Sequence, residues 1–378
     1  MHIADVTLFF APHSGGVKRY LLAKHRHLNQ THGVRHSLIV PGARDAEVSP
    51  GVFEMRSPPT PWRGGYRVPL RTSRWRALLN RLAPDVIEAG DPYHLAWTVL
   101  GAARDLDIPA VAFAHSDLSR MLAHHVTRAA GPLTDWYLRH LYARFDLVLA
   151  PSKTIAERLA GNGVTNVLVQ PLGVDGDVFH PSRCDPSLRA ELGLAADTRL
   201  LVFAGRMARE KQIPVLIDAF ARLGDAYHLM LVGGSARERI GSNVTVLPYE
   251  QDSARLARLL ASADALVHAG VHETFGLIVI EAMACGRPVV AVRSGALTEL
   301  IGDDVGVLAQ SSDPQTFANA IEALYANDWQ SMGRRARANV ENVYTWKSTF
   351  ALQLERYAHL ARHELVDEYA HADAANAR

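Results

Sequence analysis

The apolar positions of this chain fall in short runs, and between the runs they recur every three or four residues. The runs at 2–10, 37–40, 52–55, 85–89, 109–113, 146–150 and 166–169 are too short for helices and read as buried strands. The stretches between them carry the helical period. Strand and helix therefore alternate, which predicts an α/β fold built on a parallel, doubly wound sheet. The alternation breaks at PLGVDGDVFHP (171–181), dense in Pro, Gly and Asp, which reads as an interdomain connection. It then restarts, with strands predicted at 199–204, 227–232, 244–247, 264–268, 288–292 and 305–308. FDLVLAPS (145–152) and ADALVHAG (263–270) each read as an acid, an apolar strand and a small-residue exit, which fits two sheets of one design. A length of 378 residues suits two domains.

In such sheets ligands bind beyond the carboxyl ends of the strands. Several polar features sit there. Gly15 and Gly16 close the first strand exit and open a helix whose first amides, 16–19, can face an anion; a plain strand–helix turn is the equal alternative. EAGDPY (88–93) and AHSD (114–117) follow later strands. His115 suits a sugar hydroxyl or a phosphate oxygen, and Asp91 is similarly placed, although a lone histidine at a strand end is more often structural. In AGRMAREK (204–211), Gly205 permits a sharp turn. Arg206 and Lys211 converge there as a phosphate grip or serve as ordinary helix-start charges. Gly233 and Gly234 suit close ligand approach. Asp252 either pairs with a guanine edge or, more simply, caps the helix that follows.

Charge changes this picture in one respect. Residues 1–176 carry 20 Lys+Arg against 14 Asp+Glu, although the whole chain is at +1. Seven arginines between Arg56 and Arg81, with Trp62, Trp75 and no acid, suit either an anionic membrane surface or a solvated face. Arg120, His124, His125 and Arg128 extend the basic character. No nucleic-acid motif accompanies the charge. Two cysteines far apart, no segment of 18 apolar residues and no leader pattern predict a cytoplasmic protein, peripheral at most on the inner face of the plasma membrane. No GxGxxG follows a strand, which weighs against a nicotinamide enzyme.

The densest chemistry lies in HAGVHETFGLIVIEAMACG (268–286). Glu273 sits in a loop, Gly276 precedes an apolar helix beginning at Leu277, and Glu281 lies inside that helix. The Glu-x7-Glu spacing, with AMACGRPVVA after it and GR-x4-K at 205–211, resembles the retaining GT-B glycosyltransferases of family 4, the glycosyl transferases group 1. The chain is most similar to bacterial mannosyltransferases among them.

The resemblance covers nearly the whole chain and implies two Rossmann-like domains facing a cleft. Residues 1–172 with a returning helix at 355–378 would form the acceptor domain, and 173–354 the nucleotide-sugar domain. It further implies that Glu273 contacts the donor sugar, with the amides of Thr274, Phe275 and Gly276 near the sugar and diphosphate. Glu281 would accept from ribose hydroxyls. Arg206 and Lys211 would neutralise the diphosphate, His115 would reach the sugar, and Gly15 and Gly16 would approach the diphosphate or acceptor. HAGVHE departs from the Pro or Ser common in relatives, so the donor sugar is harder to infer. Neither a metal nor another cofactor is expected. The donor is expected to be GDP-mannose or a UDP-sugar and the acceptor a lipid or glycan. A sugar-nucleotide epimerase and a non-catalytic binder are the competing readings.

Overall fold

The computed structural model describes residues 1–12, 14–60, 65–116, 118 and 130–362. Trp62, Arg63, Asp117, the run from Arg120 to Arg128 and the alanine-rich tail lie outside the described residues. The chain divides into two compact units. One is Met1–Pro171 with the segment beginning at Thr349, and the other is Leu172–Ser348. The return to the first unit thus starts at Thr349 rather than at 355.

The first unit holds an eight-stranded sheet. Its strands are β1 (His2–Val6), β2 (Arg35–Gly42), β3 (Ala46–Ser49), β4 (Val52–Arg56), β5 (Val86–Ala89), β6 (Ala110–Phe113), β7 (Leu147–Ala150) and β8 (Val167–Val169). The order is β3-β4-β2-β1-β5-β6-β7-β8, and every pairing except β3 with β4 is parallel. Every residue of β5, β6 and β7 is buried. Parallel strands covered by helices on both faces need apolar residues at successive positions, which is why these runs do not alternate.

The second unit holds β9 (Arg199–Ala204), β10 (Tyr227–Gly234), β11 (Glu238–Ile240), β12 (Val244–Pro248), β13 (Ala265–His268), β14 (Val289–Val292) and β15 (Gly306–Ala309). Their order is β11-β12-β10-β9-β13-β14-β15, parallel except for β11 with β12. The segment 171–181, read as the interdomain connection, begins at the boundary between the units and packs into the second one. Val174 and Phe179 are buried, and Arg337 donates to the carbonyls of Gly176 and Phe179 and to that of Ala284 at a helix end.

The first unit also encloses charge. Lys24, fully buried on the helix Gly16–Gln30, lies 2.8 Å from Asp5 and 3.0 Å from Glu88. The helix Trp346–Ala361 joins this group: Gln353 donates to Glu88 at 3.1 Å and to the Tyr20 hydroxyl at 2.9 Å, and the Tyr357 hydroxyl bonds Glu88. Burial drives the Glu88 carboxyl up to about 7, against the pull of Lys24. Asp5 is held down at about 2: its own burial is outweighed by Lys24 and His36.

Candidate active site

β9 and β13 are parallel neighbours, and from them the chain runs on into opposite halves of the sheet, to β10 and to β14. Their exit loops, 205–212 and 269–276, therefore lie side by side at the topological switch point. At the first exit Gly205 turns with φ 154° and donates its N–H to Val232. A Cβ on Gly233 would stand 1.8 Å from the Gly205 carbonyl oxygen, and one on Gly234 would stand 2.5 Å from Val246. The close approach expected there for a ligand is used by the chain itself.

Lys211 and Glu273 form an ion pair between the two loops. Gln212, at φ 53° and ψ 40°, adopts left-handed backbone directly after Lys211, a conformation costing roughly 1–2 kcal/mol in a residue with a Cβ. His268, the last residue of β13 and 1% exposed, brings Nε2 to 3.0 Å from the same Glu273 oxygen. The approach is close without being a linear hydrogen bond. Burial by itself would raise the Glu273 carboxyl, but the Lys211 ammonium, aided by His268, holds it well below the usual carboxylate range. Arg206 is apart from this group: its side chain is largely exposed and pairs with Glu210 at 3.4 Å.

Gly276 stands at the N-cap of the helix Leu277–Ala284 with φ 97°, a left-handed turn that suits glycine. That helix is buried on almost every side, including Glu281 at 2% exposure. Phe275 packs edge-on against Tyr344, ring centroids 6.0 Å apart, so its side chain belongs to the core. Thr274 lies between it and Glu273. The positive end of the helix dipole falls just after this loop. Asp252 caps the helix Ser253–Ser262, accepting the Arg255 N–H at 2.9 Å, so the simpler of its two readings describes it. Among the described residues no three His, Cys, Asp or Glu side chains gather as metal ligands do.

The remaining candidates belong to the first unit. Gly15 caps the helix Gly16–Gln30 at φ −86°, and neither glycine takes the left-handed backbone their sequence allows. His115 is buried after β6, stacked on Phe113 at 3.9 Å and edge-on to Tyr20. Burial, then the charge of Lys24, pushes its pKa down to about 3, so it is neutral at physiological pH. Asp91 is structural: it accepts from Thr7 and the Leu8 amide and ties the β5 exit to the β1 exit. Part of the basic run is engaged within the fold. Trp75 is 1% exposed and cannot anchor to a membrane surface, while Arg74 pairs with Asp45 and Arg76 with Asp105.

Sequence reasoning missed His268 and the Lys24 group. The signals were present as polar residues inside apolar strands: Asp5 in HIADV, Glu88 in VIEA and His268 ending ALVH.

Two such sheets, the second with charged groups converging at its switch point, define a GT-B glycosyltransferase. Sucrose-phosphate synthase from Thermosynechococcus elongatus superposes with a TM-score of 0.78 at 21% identity, over 96% of this chain and 100% of that one. Anabaena HepE in complex with UDP-glucose gives 0.75 at 21% identity, over 95% and 100%. Residues 14–178 match the model described as Glycosyltransferase Family 4, and residues 198–327 the model described as Glycosyl transferases group 1. A GDP-mannose-dependent alpha-(1-6)-phosphatidylinositol dimannoside mannosyltransferase of Mycobacterium tuberculosis is 33% identical over 377 residues, 94% of this chain and 95% of that protein. A GDP-mannose-dependent alpha-mannosyltransferase of Corynebacterium glutamicum is 28% identical over 375 residues, 95% and 89%. The chain belongs to the group 1 glycosyltransferases of family 4.

Proposed function

We propose that this enzyme transfers mannose from GDP-mannose, with retention of configuration, to a lipid or glycan acceptor. The Lys211–Glu273 pair carries the reading. It sets a carboxylate that can accept sugar hydroxyls beside a cation that can hold a diphosphate, next to a helix start. The choice of GDP-mannose rests on the two full-length relatives named above. In this reading Glu273 orients the sugar and Glu281 the ribose. Lys211 and Arg206 balance the charge that grows on the leaving diphosphate, with no metal required. The diphosphate itself takes the acceptor proton on the face it leaves. His115, neutral at physiological pH, serves as a hydrogen-bond partner and not as a cation.

Thermal shift in EDTA with GDP-mannose, GDP, UDP-glucose and UDP tests this. The true donor stabilises by RT ln(1 + [L]/Kd) and stands out from the others. Stabilisation by UDP-glucose alone moves the donor to a UDP-sugar, and conversion of donor alone into its epimer makes the enzyme an epimerase. Glu281→Ala should weaken GDP binding by roughly tenfold. Unchanged affinity removes its ribose role.

A lipid acceptor implies contact with a membrane surface, and no described helix is long and apolar enough to cross one. Helix Ala130–Tyr142 exposes Leu133 and Trp136, followed by exposed Arg139 and His140. Apolar and basic groups so arranged suit an anionic interface better than the paired arginines at 74 and 76. Leu133→Ser with Trp136→Ser should reduce co-sedimentation with phosphatidylglycerol vesicles by about tenfold. Neutralising Arg74 and Arg76 should not. Wild-type protein that ignores the vesicles ends the docking idea.

A further inference from the structure

We propose that His268 is a positioning residue for the donor sugar. As the Nε2–H tautomer it keeps the Glu273 carboxylate in place when Lys211 turns from that carboxylate to the donor diphosphate. This rests on the glycosyltransferase reading of the site.

The tautomer follows from local backbone. The Gly270 N–H donates to His268 Nδ1 at 3.2 Å. With Nδ1 accepting, the single proton of the neutral ring lies on Nε2, the nitrogen facing Glu273 at 3.0 Å. Only glycine permits this arrangement: a Cβ at residue 270 would lie 2.7 Å from the His268 ring. The ring is further confined by Phe203 of β9, at 6.0 Å between centroids, and by its own burial.

The contacts on Glu273 are unequal in freedom. Both Lys211 and His268 approach Oε1. Lys211 sits on a loop and ends a flexible four-carbon stem, so a diphosphate of greater charge can draw it away. His268 ends a central strand and cannot follow. Once Lys211 has turned, burial acts on Glu273 with one counterweight fewer, and the His268 proton becomes what holds the carboxylate ionised and oriented. On the same loop as Lys211, Arg206 and Glu210 pair with each other and Arg209 adds a further charge, and His272 directly precedes Glu273 in the other loop.

The test compares GDP-mannose with GDP by titration calorimetry between pH 4.5 and 8. His268→Phe keeps the ring volume and removes both nitrogens. It should lower affinity for GDP-mannose by about tenfold or more and leave GDP within about twofold, because only the sugar meets Glu273. The acid limb of GDP-mannose binding should move to higher pH, since Glu273 loses a donor to its ionised form. His268→Gln, which retains a donor and an acceptor, should recover most of the affinity and carries the pH comparison if the Phe variant does not fold. Equal losses for GDP and GDP-mannose, or an unmoved acid limb, overturn the proposal. If wild-type protein prefers UDP-glucose, the same comparison is made with UDP-glucose and UDP. Wild-type protein that binds no nucleotide sugar overturns the donor reading itself, and this proposal with it.

Discussion

Glu273→Gln is expected to lower sugar transfer by about 10²–10³-fold, the usual loss when one preorganised polar contact to a transition state is removed. Glutamine keeps the shape but offers one acceptor oxygen, and it leaves Lys211 without its counter-charge. Lys211→Ala should lower transfer comparably, for a different reason: the leaving diphosphate loses a cation. The two variants part on stability. The pair is mostly enclosed, with the side chains 19% and 15% exposed. Lys211→Ala therefore leaves a carboxylate that burial disfavours, at a cost of about 1–3 kcal/mol. That cost should grow as pH rises above the ordinary glutamate range, where the unfolded chain ionises freely. In wild-type protein the sign is opposite. Glu273 is held below its usual pKa, so its contribution is present above that pKa and is lost as pH falls through the folded value. Combining Lys211→Ala with Glu273→Gln should restore the melting temperature and not the transfer rate. If transfer returned together with stability, the pair would be a clamp and not part of the chemistry.

Lys24→Met should destabilise the first unit by about 3–5 kcal/mol, the cost of leaving buried carboxylates without their cation. Lys24 is fully buried between Asp5 and Glu88, and the helix Trp346–Ala361 meets the same group through Gln353 and Tyr357. The two carboxylates give opposite pH trends. Glu88 is raised to about 7, so between its unfolded value and 7 the folded chain keeps a proton that the unfolded chain releases, and stability falls as pH rises. Asp5 is lowered to about 2, so its contribution is present above the unfolded value and disappears only as pH falls through 2. Urea melts followed by hydrogen exchange in β1 and β5 check both. A loss below about 1 kcal/mol for Lys24→Met would mean that the group relaxes or admits water.

Burial on both faces of a parallel sheet writes itself into the chain as short continuous apolar runs, and thirteen strands follow from those runs. β3 and β11 do not, for one physical reason. Both are antiparallel edge strands whose residues are mainly exposed, AEVS and ERI, so no buried run marks them. The Glu-x7-Glu spacing and GR-x4-K likewise mark the two loops that meet through Lys211 and Glu273.

Sequence alone thus determined the class of fold, the family resemblance and the two loops that hold Lys211 and Glu273. Each is a local pattern of burial or of residue spacing. Which loops face each other was decided only by tertiary structure. β13 sits beside β9 although more than sixty residues separate them, and that adjacency turns Lys211 toward Glu273. Tertiary structure also enclosed Trp75, paired Arg74 and Arg76 and gave Asp252 to a helix end, because partners across a fold leave no spacing in the chain. His268 lies between the two levels. Its place at the end of an apolar strand is legible, but its proton is set by the Gly270 amide and aimed by a sheet that brings Glu273 to meet it.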